Sequence, residues 1–449
     1  MISVPGNLSN ASKTCGSANC HPQIVPRVNS GLMATLSGMI TVDRYVFGET
    51  HDLDVLTSIQ EVGYSAADRH LRNLCVGCHL GNEKTKHGPS AWLERGGGCN
   101  ACHLTYDAKA SKDLAYQQTK QSDDTTPPRF HPAIDLNIGN DKCLSCHSRS
   151  GRIAMNYEGW HETTLKTLPK SSDNKYRKLA DGRIFEFTAS DIHHQQGMSC
   201  IDCHGSYELM GDGKHYAHKE EAVKVQCADC HPQQDARYST ALGNADRETQ
   251  LIAWLRNYKN ADARLVKTRD GGFPLVNMVT MENGQVELTI KLSGRQMLSK
   301  PQHEACSRGN VHTRLSCNAC HTAWAPQCIG CHNSYEKQTR GFDMLRSIES
   351  KGTWIEYTGE YYAEKPVLGI NEKAGSNGQV QTMVPGMIMT IDKDSYKKGE
   401  GKTFHRLYAP ASAHTTSREA RSCKSCHNNP LAIGFGRGDL NFTESAKWT

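Results

Sequence analysis

Apolar positions are spread thinly along the chain, and no single period persists for long. From Ser30 to Glu49, Leu32, Met33, Leu36, Met39 and Ile40 recur at helical intervals and predict a helix followed by a loop. The longest helical pattern covers residues 237–265, where Leu251, Ile252, Trp254, Leu255 and Tyr258 gather on one side as a scaffold helix would require. Lys219 to Gln226 is helical by composition. Residues 273–292 switch to period two: Val276, Met278, Val279, Val286, Leu288 and Ile290 alternate about Glu282-Asn283-Gly284, which predicts a β-hairpin. A second hairpin is expected at 366–392 around Ser376-Asn377-Gly378, and both read as surface insertions. The polar stretch 105–128, closing on Pro127-Pro128, reads as a surface loop. These elements predict a mainly α chain with much irregular coil and two small β-hairpins.

What lies between them is more specific. Cys317-Asn-Ala-Cys320-His321 and Cys328-Ile-Gly-Cys331-His332 are two C-x-x-C-H motifs joined by a six-residue connector that spans at most about 20 Å. The pattern recurs at Cys75, Cys78 and His79; at Cys99, Cys102 and His103; and at Cys143, Cys146 and His147. It returns at Cys200, Cys203 and His204; at Cys227, Cys230 and His231; and at Cys423, Cys426 and His427. C-x-x-C-H is the attachment signature of a c-type haem: two thiols add to the porphyrin vinyl groups, and the histidine ligates iron. Chance would give on the order of 0.04 such motifs in a chain of this content. Cys15-Gly-Ser-Ala-Asn-Cys20-His21 is a looser ninth, with the same Cys-His ending; a disulfide or two free thiols is its bland alternative. Zinc ribbons have no use for a histidine after every second cysteine. A disulfide framework suits a short secreted chain better than one of 449 residues.

Composition fits the cofactor. Apolar residues make up 37% of the chain, a thin core from which eighteen thiols are already committed. Nine haems c, about one per 50 residues, would supply the missing apolar mass. The expectation is one multihaem cytochrome c domain over residues 1–449. Its haem segments are 15–21, 75–103, 143–147, 200–231, 317–332 and 423–427, with the helical and hairpin segments inserted between them. The formal charge of +5 becomes about −13 with ferrous irons, or about −4 with ferric ones, once haem propionates are counted. The basic excess therefore reads as counter-charge, with no nucleic-acid motif beside it. No apolar run is long enough for a transmembrane segment. Thioether attachment takes place outside the cytoplasmic membrane, so a cell-surface, cell-wall or periplasmic location is expected, with the export signal already removed.

Of 22 histidines, the nine in motifs are proximal candidates and 13 remain for the opposite face of the irons. His87, His131, His193, His194, His218, His312, His405 and His414 lie just upstream of a motif, the placement of a distal ligand; His161, His215 and His303 are weaker candidates. His193 and His194 are adjacent, so both cannot serve one iron. For each, the alternative is a propionate or backbone hydrogen bond, and His51 and His70 are open to either reading. Cys306 is the unpaired cysteine, expected as a small buried hydrophobe; a thiol near an open haem is the sharper alternative. Gly96-Gly97-Gly98 would let the backbone pass close to a porphyrin face.

The segments CLSCHSRSGRIAMNYEGW, SCNACHTAWAPQCIGCH and AHTTSREARSCKSCHNNP resemble the superfamily of hydroxylamine oxidoreductase and the octahaem nitrite and tetrathionate reductases. The resemblance covers roughly residues 70–430 and lies mainly in the haem segments. Nine motifs exceed the usual eight of that superfamily and are more similar to the nonahaem cell-wall cytochromes of Gram-positive metal reducers. No motif carries lysine for histidine, as pentahaem nitrite reductases do. The resemblance implies electron delivery to metal oxides or soluble electron shuttles, redox partner cytochromes, one or more five-coordinate haems, and side activity on nitrite or hydroxylamine. Tyr157 and Arg152 match positions near a substrate site without carrying a role over. A dedicated reductase or oxidase of a nitrogen or sulfur compound is the alternative of a different class, and a filament-forming cytochrome is a third.

Overall fold

The computed structural model describes residues 4–84, 95–119, 129–148, 155–170, 174–232, 239–258, 262–306, 312–374 and 378–432. Helix and strand are nearly balanced, at 30% and 26%. The strands form five sheets, which overturns the expected mainly α architecture. The longest helices among the described residues, Ser37–Phe47 and Ala108–Gln118, have 11 residues each. Short helices are what this chain can sustain: three turns form only where a cap or a packed face supports them.

Both expected hairpins are present, but neither is an isolated insertion. Pro274–Thr280 and Val286–Thr289 pair antiparallel, with Met278 opposite Leu288, as the central strands of a five-stranded sheet. Arg264–Lys267 and Ser239–Ala241 extend it on one side and Gln296–Leu298 on the other. The segment assigned from sequence to one long helix thus has strand at both of its ends, Ser239–Ala241 and the start of Arg264–Lys267. Only Arg247–Leu255 is helical, started by Asp246, whose carboxylate accepts from Thr249 N at 2.9 Å. The helix buries Thr249 and Ala253 and leaves Trp254 74% exposed, so the expected apolar face points outward. The period-two face is buried instead: Met198, Val266, Leu275, Met278, Val286, Leu288 and Ile290 form one core cluster, with Cys203 and Cys230 packed against it.

The second hairpin, Val367–Asn371 with Gln379–Asp392, is part of a larger sheet. Gln379–Asp392 also pairs with Lys402–Pro410, and in parallel with Cys331–Asp343, which in turn pairs with Ile348–Tyr357. The long ribbon 331–357 escapes hydrophobic periodicity because most of its side chains are exposed or half-buried. Its inner face carries Cys331 and Trp354, which join Val46, Phe47, Ala66, Ala67, Met389 and Ile391 in a second cluster. The polar stretch 105–128 holds another helix, Ala108–Gln118. Its sequence signal was Asp107, whose carboxylate accepts from Ala110 N at 2.7 Å. Asn377 lies outside the described residues.

Candidate haem-attachment sites

C-x-x-C-H has little helical propensity of its own, so the residue before it decides the local structure. Six motifs are helical: Cys99–His103, Asn140–His147, Cys200–Cys203, Cys227–Cys230, Cys317–His321 and Cys423–His427. Ser316 and Ser422 cap two of them through their hydroxyls. Ser199 with Asp202, and Gln226 with Asp229, form capping boxes on two others. On a helix, positions i, i+3 and i+4 share one face, so both thiols and the imidazole address the same side. Cys75 and Cys78 lie on consecutive helical turns, Leu71–Cys75 and Val76–Cys78. The looser segment closes with a hydrogen bond from His21 N to Cys15 O of 3.0 Å. Cys328 to His332 is different. It runs through the end of strand Ala325–Ile329, a turn at Gly330 (φ +78°) and the start of Cys331–Asp343. Strand alternation there buries Cys331 and exposes His332, and the Cys328 and Cys331 sulfurs lie 3.7 Å apart.

The motifs adjoin one another although they are far apart in sequence. The thiol of Cys15 neighbours that of Cys99, Cys78 that of Cys146, Cys143 that of Cys200, and Cys227 that of Cys317, each pair close enough to shift the titration of its members. Lys142 Nζ donates to Cys102 O at 2.9 Å, tying the third motif to the fourth. Cys203 and Cys230 share one core cluster, and Arg421 N donates to Cys320 O at 2.8 Å from just before the last motif. The result is a continuous row from Cys15 through Cys99, Cys143, Cys200, Cys230 and Cys317 to Cys426, with Cys78 branching at Cys146. Burial pushes the Cys99 and Cys203 thiols up to about 12, while a hydrogen bond from Cys227 brings Cys317 down to about 6. Gly98 (φ +56°) permits the row to close, because a Cβ there would sit 2.1 Å from Gly6 O. The glycine run thus serves a backbone crossing.

The histidines sort by which ring nitrogen is occupied. A ligand histidine donates through Nδ1 to a fixed acceptor and keeps Nε2 for the metal. Among motif histidines, Nδ1 of His79 donates to Val76 O at 3.1 Å, His103 to Asp135 O at 3.0 Å, His231 to Lys300 O at 2.5 Å and His321 to Ser417 O at 3.1 Å. His204 donates through Nδ1 to the Glu208 carboxylate. Two of the other candidates do likewise, His193 to Asp191 Oδ1 at 2.8 Å and His414 to Ser412 O at 2.9 Å. These two face motif histidines. Ring centres are 6.1 Å apart for His193 and His231, 6.1 Å for His414 and His204, and 6.4 Å for His312 and His427. Two imidazoles bound to opposite faces of one iron, each nitrogen about 2 Å from the metal, have ring centres roughly 6 Å apart. These residues fit a haem iron. His414 holds its ring there from a left-handed backbone (φ +54°), a conformation that costs a non-glycine residue roughly 1 kcal/mol or more.

No family model matches the chain, and no solved structure matches it. Among the described residues, no three His, Cys, Asp or Glu side chains gather as a metal cage; a haem iron takes one imidazole from each side.

Other candidates are not so placed. His218 and His405 commit Nε2 to Leu53 O at 2.5 Å and to Val46 O at 2.7 Å. His161 donates through Nδ1 to Glu162 O at 3.0 Å, with Nε2 3.8 Å from Glu186. His131 is exposed, its Nδ1 on Pro132 O at 2.6 Å. His215 and His303 are exposed, and His194 packs edge-on against Tyr157 at 5.3 Å. His87 and Arg152 lie outside the described residues. Tyr157 is buried and donates to Met198 O at 2.8 Å, so its hydroxyl is already used. Cys306 is exposed, not buried, and lies beside the Cys320 motif. The residues that sequence reading passed over are Glu208 and Asp191. Their signals were an acid four residues after a motif histidine on a helical turn, and an acid two residues before a candidate ligand.

Burial holds His79, His103, His147, His231 and His414 below the usual imidazole range, which favours the neutral, ligating form. His70 is the opposite case. Burial alone would lower it, but Asp43 at 3.1 Å and Asn333 at 3.2 Å hold it above its ordinary value. Both ring nitrogens are engaged, so it is a core contact. A raised folded-state value gives stability that is complete below the unfolded value near about 6.5 and is lost as pH rises through the folded one. The urea midpoint is expected to fall over that interval, and His70→Gln is expected to flatten the fall; an equal slope in the variant would refute the assignment.

Proposed function

We propose that this chain is a nine-site c-type cytochrome that carries electrons across the cell envelope to extracellular acceptors such as metal oxides or soluble shuttles. It acts as a terminal reductase and takes its electrons from redox partner cytochromes. The observation that carries the reading is the set of three motif histidines, His204, His231 and His427, each opposed by a non-motif imidazole at axial-ligand separation. The proximity of thiols from different motifs supports it, because rings bonded to neighbouring thiols would lie close together.

Each haem would supply a one-electron Fe(III)/Fe(II) couple. The chain's own part is to hold and tune it. Paired cysteines would hold each ring by two thioethers, and the motif histidine would offer Nε2 to the iron. His193, His312 and His414 would offer a second imidazole each, and bis-histidine ligation suits electron transfer. Carbonyls of Asp135, Lys300 and Ser417 fix the tautomer and ring angle. Among the described residues no helix is long and apolar enough to cross a membrane. An extracytoplasmic setting follows from the chemistry of thioether attachment.

Haem stoichiometry by pyridine haemochrome, with intact mass, tests the reading. Nine haems per chain are expected, or eight if the strand-borne pair Cys328 and Cys331 stays unmodified. A colourless protein with the mass of the bare polypeptide overturns the proposal.

A further inference from the structure

We propose that Glu208 and Asp191 are positioning residues that lower the reduction potential of two neighbouring irons, and so place a low-potential step inside the row of haems. The irons are those held by His204 with His414 and by His231 with His193. The inference rests on the haem reading above and goes beyond it by ranking the sites.

In each of these two pairs, one imidazole donates its Nδ1 proton to a carboxylate and the other to a backbone carbonyl. His204 uses Glu208 and His414 uses Ser412 O; His193 uses Asp191 and His231 uses Lys300 O. At His79, His103 and His321 the acceptor is a carbonyl. A carboxylate carries a full negative charge, and burial leaves that charge poorly screened. Drawing on the Nδ1 proton raises electron density at Nε2, makes the ligand more basic and favours ferric over ferrous iron. Neither carboxylate is a casual surface contact. Asp191 is 2% exposed and also accepts from His193 N at 2.8 Å and Thr416 N at 2.6 Å. Glu208, its side chain 9% exposed, accepts from Lys224 N at 3.2 Å through its other oxygen. The two sites adjoin, since Cys203 and Cys230 pack on the same core cluster. The effect therefore falls on consecutive positions in the middle of the row.

On reduction each iron gains one electron, Fe(III) to Fe(II), while the Nδ1 proton remains in its hydrogen bond. Dithionite supplies the electrons in the test. Spectropotentiometric titration of the holoprotein is compared among wild type, Glu208→Gln and Asp191→Asn, with haem content measured on each sample. In each variant about one ninth of the α-band absorbance is expected to move from the most negative end of the titration to more positive potential, at full haem content. Glu220→Gln, at an exposed carboxylate on Lys219, is expected to change nothing. Asp191 also caps the helix Ile192–Gln195, so its variant is compared only at full haem content. Glu208→Gln keeps an acceptor oxygen facing His204 and carries the test by itself. Superimposable curves for wild type and Glu208→Gln at equal haem content overturn the inference and leave the haem reading standing. Wild-type protein without haem overturns the reading beneath it.

Discussion

Expressed where no haem can be attached, the chain is expected to lose cooperative folding altogether. Its apolar share is 37%. The core clusters are small, and several use the attachment cysteines as their walls: Cys203 and Cys230 in one, Cys328 and Cys331 in another. Covering a ring on both faces removes several hundred Å² of apolar surface, at about 25 cal/mol per Å². Repeated at nine sites, that exceeds the 5–15 kcal/mol by which domains are ordinarily stable. Urea unfolding followed by far-UV circular dichroism is the measurement. A sharp transition in the haem-free chain, at the midpoint of the holoprotein, would show that the polypeptide needs no cofactor to close.

Alanine at His193 or His414 is expected to open one iron each. The wild-type ferric spectrum would gain one high-spin component per variant, and the reduced protein would bind one additional equivalent of carbon monoxide. His405→Ala is the internal comparison: its Nε2 is spent on Val46 O at 2.7 Å, so it should add none. An unchanged carbon monoxide stoichiometry in both His193→Ala and His414→Ala would dismiss the ring pairs as accidental neighbours.

How much of this could be read from sequence depends on how local the determining chemistry is. The motif spacing and the period-two run at 273–292 are local, and the hairpin appears where alternation placed it. That it sits inside a five-stranded sheet is not local. Arg264–Lys267 and Ser239–Ala241 are short, and their partners are set by tertiary packing. The same packing cut the expected helix at 237–265 down to Arg247–Leu255 and turned Trp254 outward. Residues 331–357 show the other limit: a ribbon with one half-covered face offers too few apolar positions for a period to register. Among histidines, proximity to a motif singled out His193, His312 and His414, whose rings lie about 6 Å from motif imidazoles. It could not separate them from His218 and His405, because the distinction lies in which ring nitrogen a distant carbonyl occupies.

The strand-borne motif sets a timetable for maturation. Cys331 faces inward toward Trp354 while His332 faces out, locked in register with Thr390 on one side and Tyr357 on the other. A ring cannot be bonded to the first residue and ligated by the second while that register is zipped. If a haem is attached at Cys328 and Cys331 as proposed, loading there would come before the sheet closes or force its edge to reopen, whereas the helical motifs already present thiols and imidazole together. On that reading the strands around Gln379–Asp392 would close only after loading, and slow-maturing protein would accumulate one cofactor short.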